Sequence, residues 1–565
     1  MGTVIQYQQR RNDDRNQRWE RIERAELLEQ YGGLTTPGLS QRQAATVLDV
    51  PRSTLQAWRV YQERLDACPA VVAFFQSVPG LAFLHRLVLG IHVVCTEVGA
   101  CGMRLVCLLL QLTGLNRFVG RAYGTQQQVN RRVEEAIVAY HHEESARLAH
   151  AMPAKALTLT KDATFPGGLG LGGIEPVSHY IVLGPLAPAR DHDTWQALME
   201  EALAGLNCQV SQATSDEAPG PLAYVAHHRG AQHSPDLFHV QHELSKAVSA
   251  PMAVKQRAAA RALAKVEETL NQVPEHLDNA ADEPNQRGPG RPPQVAARLE
   301  QVTQDAAAAR HEHQRLAGQR ETVTQSIRAI GHASHCVDLR RGVRRNGRLI
   351  AGDIQGHIDT IRTMAPQEHL SQACLNRIEQ AARVVSKRQA TIAFVSGDVR
   401  QQVTHLAVAL PQSFAMHAHL IPSYDLDRVA STRTVREGAP LRALAERLRT
   451  PLFAPGGAVG AVSPLEQKQL QHKAKTLAEV FQRFSANVEG RNEYLSLRNH
   501  QLRGLDHPRK RACLTAMHTF FLTRADGTTA AERFVGQKPR SMFAALLASV
   551  AIPPAPLSPP QRAMG

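Results

Sequence analysis

The chain has 565 residues, a hydrophobic content of 43%, a formal net charge of +14 and a pI of about 9.7. This length allows three or four domains, and the basic balance favours a polyanionic partner such as nucleic acid. The eight cysteines include no CxxC pair, so neither a zinc ribbon nor a disulfide framework is expected, and reduced thiols fit a cytoplasmic protein. No secretory signal is predicted at the N-terminus, and the apolar region 81–115 is broken by charged and histidine residues, which favours buried helices over a membrane span.

Residues 39–65, LSQRQAATVLDVPRSTLQAWRVYQERL, carry a helix-turn-helix pattern. Ser40 and Gln43 have the spacing of a capping box, Pro51 suits the first turn of a second helix, and Leu55 and Trp58 form its buried side. The second helix of such a unit enters the major groove of DNA. The residues expected to face DNA are Arg52, Ser53, Thr54, Gln56 and Arg59. The alternative is an ordinary helical hairpin at the surface.

The region 66–150 is predicted to be all-helical, and 114–137 is either a second such unit or a plain helical linker. From Ala156 the pattern alternates as in a strand, and 158–167, TLTKDATFPG, ends this strand at Asp162 before a Pro-Gly turn. Residues 167–173, GGLGLGG, are predicted to be a turn, followed by a strand from Val177 to Gly184.

A helix over 193–206 and a strand from Val210 to Ser215 follow, and the strand stops at Asp216, again before a Pro-Gly turn. The segment SPDLFHVQHEL then passes from a short strand into a helix and contains Asp236 and His239. The order strand–strand–helix–strand–helix predicts a mixed α/β core.

The chain is mostly helical again from about 245 to 480. Within it, 285–294, NQRGPGRPPQ, is predicted to be a flexible linker; the alternative is a minor-groove contact through Arg287 and Arg291.

A long helical pattern from 464 to 503 carries a third acid, Glu489, at the border of its apolar stripe. Gly490 follows it, and a glycine inside a helix predicts the close approach of another backbone or of DNA. Asn492 extends the polar track from Glu489, and Arg491 and Arg498 make the neighbourhood basic.

Two aspartates at strand ends and a glutamate on a helix beside basic residues suggest a two-metal phosphoryl-transfer site. Carboxylates supply the oxygen ligands that hard cations such as Mg²⁺ need. One ion would activate water or a 3′-hydroxyl, and the other would stabilise the leaving oxygen.

The blocks SDEAPG, SPDLFHVQHEL and NVEGRNEYLSLRNHQLRGL together resemble DDE-type bacterial insertion-sequence transposases with a ribonuclease-H-like core. The segment 524–539 resembles the closing part of such proteins. This resemblance implies that Asp162, Asp216 and Glu489 are the catalytic metal ligands, that Mg²⁺ (with Mn²⁺ as a substitute) is the cofactor, and that Asp236, His239 and Asn492 support the site. Ala163 departs from the pattern, since a glutamate or glycine more often follows the first aspartate in relatives.

The resemblance further implies that the protein binds and joins double-stranded DNA, at terminal inverted repeats and target DNA, as a homo-oligomer associated with the nucleoid and without a membrane partner. The alternatives are a catalytically inactive, domesticated DNA-binding protein and another ribonuclease-H-like nuclease.

The expected fold class is a ribonuclease-H-like α/β sheet with a helical N-terminal DNA-binding region and a large all-helical insertion. The predicted divisions are 1–70 (helix-turn-helix), 71–150 (helical linker or second DNA-binding region), 151–249 (first part of the core), 250–475 (insertion), 476–545 (last part of the core) and 546–565 (disordered tail).

Overall fold

A computed structural model describes residues 19, 21–63, 65, 67–215, 231–282, 295–480, 486–502 and 504–556. Asp216 and the linker segment 285–294 therefore lie outside the described residues. What is described is mostly helical, with one mixed sheet of five strands.

Helices alone form the region before the sheet, as the sequence predicts. They are α1 (Arg21–Thr35), α2 (Gln41–Val47), α3 (Arg52–Glu63), α4 (Pro69–Gln76), α5 (Val78–Ile91), which continues as a π-helix (His92–Val98), α6 (Met103–Leu112), a 3₁₀ turn (Leu115–Arg117) and α7 (Tyr123–His150). The second helix-turn-helix considered for 114–137 does not form, because most of this segment belongs to the long continuous helix α7.

The sheet consists of β1 (Lys155–Thr164), β2 (Gly170–Glu175), β3 (Tyr180–Leu183), β4 (Cys208–Ser215) and β5 (Gln232–Pro235), in the order β3-β2-β1-β4-β5. β1, β2 and β3 pair antiparallel, whereas β4 pairs parallel with β1 and β5 parallel with β4. The prediction of a turn at GGLGLGG is wrong beyond residue 169, because the rest of the segment forms β2. Its glycines suit the crowded sheet face, since a Cβ added at Gly172 would lie 3.2 Å from Val488 Cγ1.

Both faces of the sheet are covered. On one face, Leu159, Leu171 and Ala213 pack against Trp195 and Met199 of α8 (His192–Leu203). On the other face, Ile174 and Ile181 pack against Val488 of a helix near the C-terminus. Because side chains alternate along a strand, Lys161 lies over Trp195 (5.5 Å to the ring centroid) while Asp162 belongs to the opposite face.

The helical region after β5 has a core of its own. Its elements are α9 (Leu237–Leu244), a π-helix (Ser245–Ser249), α10 (Ala250–Asp282), α11 (Val295–Ala333), α12 (Gly347–Gln367), α13 (Gln372–Thr404), α14 (Leu410–Ala415), a π-helix (Met416–Leu420), α15 (Ile421–Ser431), α16 (Val435–Phe453) and α17 (Pro464–Val480).

The chain then returns to the sheet. The closing elements are α18 (Ala486–Leu502), α19 (Pro508–Ala516), a π-helix (Met517–Phe521), α20 (Ala530–Val535) and α21 (Met542–Ser549). The prediction of a disordered tail from 546 is wrong for its first part, because Leu546 and Val550 are buried in the core formed with α7. Residues 557–565 lie outside the described part.

Among the described residues, one helical stretch, Val78–Val98, is long and apolar enough in composition to cross a membrane. In this fold it is a core helix: Leu81, Leu84 and Val88 pack in an apolar cluster with α6. Its C-terminal part buries the polar side chains of His92, Thr96 and Glu97.

Candidate functional site

The helix-turn-helix at 41–63 forms as its sequence predicts. The Ser40 side chain accepts from the Gln43 backbone N–H, and the Gln43 side chain accepts from the Ser40 N–H (3.0 Å), which completes the capping box. Leu55 is fully buried against Ala44, Ala45 and Tyr31 of α1. These contacts hold α3 on a compact three-helix unit.

α3 turns its polar side outward. Trp58 packs edge-on against Trp19, with ring centroids 5.4 Å apart. The residues expected to contact DNA occupy the other side, where Thr54 is half-buried and the rest are exposed: Arg52, Ser53, Gln56 and Arg59. This arrangement leaves both arginines available for phosphate or base contacts.

The C-terminal segment ties this unit to the rest of the protein. Arg21 of α1 donates to the carbonyl oxygens of Pro553 (2.6 Å) and Phe118 (2.9 Å), and the Tyr61 hydroxyl of α3 donates to the Pro556 carbonyl (3.2 Å). Burial lowers the pKa of Arg21 to about 10. The DNA-facing helix is therefore anchored to residues that follow the last helix.

A second candidate site lies where α18 crosses β1. The Asn492 side-chain amide donates to Asp162 Oδ2 at 2.9 Å, and the backbone N–H of Ala163 donates to Asp162 Oδ1 at 2.8 Å. Two neutral donors thus orient both carboxylate oxygens. The structure brings together the first predicted acid and a predicted supporting residue that is 330 positions away in the chain.

Glu489 lies one turn before Asn492 on the same helix and is half-buried. Residues three apart on a helix are neighbours, so Glu489 belongs to the end of α18 that lies over Asp162. No other segment of the described chain approaches Gly490, since a Cβ there would meet no atom within 4 Å; the approach of DNA to this glycine stays a prediction.

The remaining acid of the predicted trio, Asp216, lies outside the described residues. It follows Ser215, the last residue of β4, and β4 is the parallel neighbour of β1. Their register pairs Thr160 with Thr214, an offset of 54 residues, which is also the sequence separation of Asp162 and Asp216. Among the described residues, no group of three His, Cys, Asp or Glu side chains has a metal-binding arrangement.

Asp236 is buried at the end of β5, and its backbone N–H donates to the Ser215 carbonyl at 3.1 Å. Arg388 of α13 is fully buried here, donates to Ser234 Oγ (3.3 Å) and the Pro235 carbonyl (3.4 Å), and interacts electrostatically with Asp236. Burial lowers the pKa of Arg388 to about 10. A helix of the insertion therefore anchors the strand end next to β4. His239 is in α9, but its side chain is not described.

The prediction that Arg498 contacts DNA is wrong in this fold. Arg498 is only 2% exposed and donates to the backbone carbonyls of Thr96 and Val98, so it fastens α18 to the π-helix His92–Val98. Arg491 is half-buried and lines a cavity beside α18, so its contact with DNA stays a prediction.

The sequence did not predict a buried polar network that lies beside α18. Lys510 Nζ donates to both oxygens of Glu97 (2.8 and 2.9 Å) and to Glu134 Oε1 (2.9 Å), and Glu134 also pairs with Arg509. Burial alone raises the pKa of Glu97, but Lys510 outweighs it and keeps this pKa below its ordinary value. The sequence signal for this network is Glu97, an acid within the apolar region 81–115, because a buried acid needs a partner.

Comparison with protein families yields two matches. Residues 36–68 are similar to the helix-turn-helix, Psq domain, and residues 416–562 are similar to a family of unknown function, DUF6399. No curated protein and no solved structure matches the chain significantly. The first match confirms the helix-turn-helix and indicates DNA as a partner; the second includes the whole of α18.

Proposed function

We propose that this protein is a DDE-type transposase that binds the ends of a mobile element and catalyses metal-dependent cleavage and transfer of DNA strands. The observation that supports this proposal most directly is the hydrogen bond between Asn492 and Asp162. It joins α18, which carries the third predicted acid, to β1, which carries the first. The helix-turn-helix gives the DNA partner independently of this site.

The sheet supports a ribonuclease-H-like core as the basis of this function. Three antiparallel strands are followed by two parallel ones, and β1 and β4, the strands that precede the two aspartates of the resemblance, are neighbours. We propose on this basis that Asp162 and Asp216 act together and that α18 adds Glu489 across the face of the sheet.

The described residues suit a hard cation, because Asp162 and Glu489 supply two carboxylates where α18 crosses β1. Asp162, Asp216 and Glu489 would hold Mg²⁺, or Mn²⁺ in its place, which when bound supplies activation of a water or 3′-hydroxyl and stabilisation of the leaving oxygen. Asn492 and the Ala163 N–H hold the Asp162 carboxylate in one orientation, and Arg388 steadies the neighbouring strand end from the insertion.

Terminal inverted repeats and target DNA are the proposed substrates, bound by a homo-oligomer at the nucleoid. α3 would read the repeat through Arg52, Ser53, Thr54, Gln56 and Arg59.

The Asn492→Ala variant tests the Asp162 contact. A hydrogen bond to a charged group contributes about 1.5–3 kcal/mol, so we expect cleavage of DNA carrying the gene's flanking sequences to fall about tenfold to a hundredfold. Binding of the same DNA in a gel-shift assay should stay at the wild-type level. Asn376→Ala removes an exposed amide in α13 and serves as the matched control. Equal cleavage by the Asn492 variant and the control would contradict the assignment.

A further inference from the structure

A cavity of about 430 Å³ lies beside α18, on the flank away from Glu489. Two residues along a helix correspond to a rotation of about 200°, so Arg491 faces away from Glu489. The cavity is lined by apolar side chains of α19 and the π-helix Met517–Phe521, together with a few polar groups. The residues that matter for its chemistry are Gly490, Arg491, Tyr494, His179, His518 and Leu514.

Arg491 enters this cavity without a carboxylate partner among the described residues. Its contacts are a 3.4 Å hydrogen bond to Thr515 Oγ1 and a position 5.3 Å from the centroid of the Tyr494 ring. Arg491 is half-buried. A guanidinium that is partly removed from water needs compensating acceptors, and one neutral oxygen and an aromatic ring supply little compensation.

The other charged residues around the cavity do not pair with Arg491. Arg498 and Arg511 donate to backbone carbonyls, those of Thr96 and Val98 and that of Pro166. Glu97 also lines the cavity, but both of its oxygens accept from Lys510. Arg491, Arg498 and Arg511 therefore lie near one another, and the acceptors of their hydrogen bonds among the described residues are neutral oxygens.

The cavity walls indicate what kind of anion fits. Tyr494, Leu514 and Met517 provide apolar surface, and the volume falls within the range of about 300–1,000 Å³ typical of small-molecule sites. His518 donates through Nε2 to the backbone carbonyl of His179 (2.9 Å), which fixes the His518 ring at the wall. Such walls suit a ring system next to the charged group that Arg491 would bind, since bases stack on aromatic and guanidinium planes.

We propose that this cavity binds a single nucleotide, with its phosphate on Arg491 and its base against Tyr494 and the apolar wall. The nucleotide is either free in solution or an unpaired nucleotide of a bound DNA strand. The site is separate from the carboxylates and does not depend on their catalytic role.

Calorimetric titration of the full-length protein with deoxynucleoside monophosphates, and separately with inorganic phosphate, tests this proposal. We expect a nucleotide to bind and the Arg491→Met variant to lose about tenfold to a hundredfold in affinity, since the hydrogen bonds to phosphate are charge-assisted. Arg131→Met, at an exposed ion pair of α7, should bind as wild type does. Thermal unfolding should show Arg491→Met at least as stable as wild type, because an uncompensated charge is removed.

Gly490→Leu gives a second variant that does not touch the charge. A side chain at this position meets open space and would fill part of the cavity, so we expect weaker nucleotide binding with unchanged or higher helix stability. A parallel titration compares a duplex that has one unpaired nucleotide with a fully paired duplex.

The outcomes separate the two sources of the nucleotide. Loss of monophosphate binding in both variants supports a free nucleotide, whereas loss of only the preference for the unpaired duplex supports a strand nucleotide. Inorganic phosphate binding as tightly as any nucleotide would overturn the role of the base. Absence of binding in both titrations, wild-type binding by Arg491→Met, or its marked destabilisation, would overturn the site.

Discussion

Replacing Lys510 with methionine should loosen the junction between α19 and the N-terminal helices that carry Glu97 and Glu134. Lys510 bonds Glu97 at 2.8 and 2.9 Å and Glu134 at 2.9 Å, and the Glu97 side chain is fully buried. Removing one partner of a buried ion pair costs about 3–5 kcal/mol. Because Lys510 keeps 15% of its side chain exposed, we expect the lower end, about 3 kcal/mol.

Hydrogen exchange measures this effect locally, which suits a chain of 565 residues that need not unfold in one step. A loss of about 3 kcal/mol corresponds to roughly a hundredfold faster exchange of amides that open with this junction. We expect it in the π-helix His92–Val98, in the middle of α7 and in α19. Lys246→Met is the matched control, since its pair with Glu243 is half-exposed and contributes at most about 1 kcal/mol.

A second substitution checks the reasoning. Changing Glu97 to glutamine in the Lys510→Met background removes the stranded charge and should restore part of the protection. Wild-type exchange in Lys510→Met, or a double variant that exchanges as fast as the single one, would refute the role of this ion pair.

Three further predictions concern DNA binding and stability. The Arg52→Ala, Arg59→Ala double variant should bind DNA more weakly. If each arginine contacts one phosphate, the slope of log binding constant against log salt concentration should fall in magnitude by about 2. Arg131→Ala is the control, and an unchanged slope in a salt titration of the double variant would contradict the assignment of α3. Ser40→Ala removes the capping box of α2 and should destabilise the helix-turn-helix by about 1 kcal/mol, whereas a melting curve identical to wild type would show that the cap contributes nothing. Burial lowers the pKa of His179 and of His518 to about 4, so both side chains stay neutral in the folded protein at neutral pH. The stability that this contributes should be complete above about pH 6.5, the ordinary pKa of histidine, and should decline as the pH falls from there through about 4. His518→Gln should make this decline less steep in acid-unfolding curves.

Local pattern predicted the elements whose residues interact over short distances. The capping box at Ser40, the buried Leu55 and the strand that delivers Asp162 all follow from neighbouring residues. β2 escaped prediction because its glycines are typical of turns. Each of them has a close neighbour from another segment, namely Arg511 at Gly170, Val488 at Gly172 and Leu183 at Gly173.

The charged residues near the third acid were harder to place, because their surroundings come from distant segments. The sequence pattern predicts that Arg498 is exposed, because its acceptors, the backbone carbonyls of Thr96 and Val98, belong to a distant segment. Lys510 likewise depends on Glu97, 413 positions earlier in the chain. The contact of Asn492 with Asp162 brings α18, the helix of the third predicted acid, to β1, the strand of the first.

Strand cleavage and transfer by acid variants test the proposed function most directly. The assay incubates full-length protein and Mg²⁺ with plasmid DNA that carries the gene's flanking sequences. The proposal predicts cleaved ends and joined products with the wild type, and none with Asp162→Asn, Asp216→Asn or Glu489→Gln, while all four proteins shift the same DNA equally. DNA binding without cleavage by the wild type, or wild-type cleavage by any of the three variants, would contradict it.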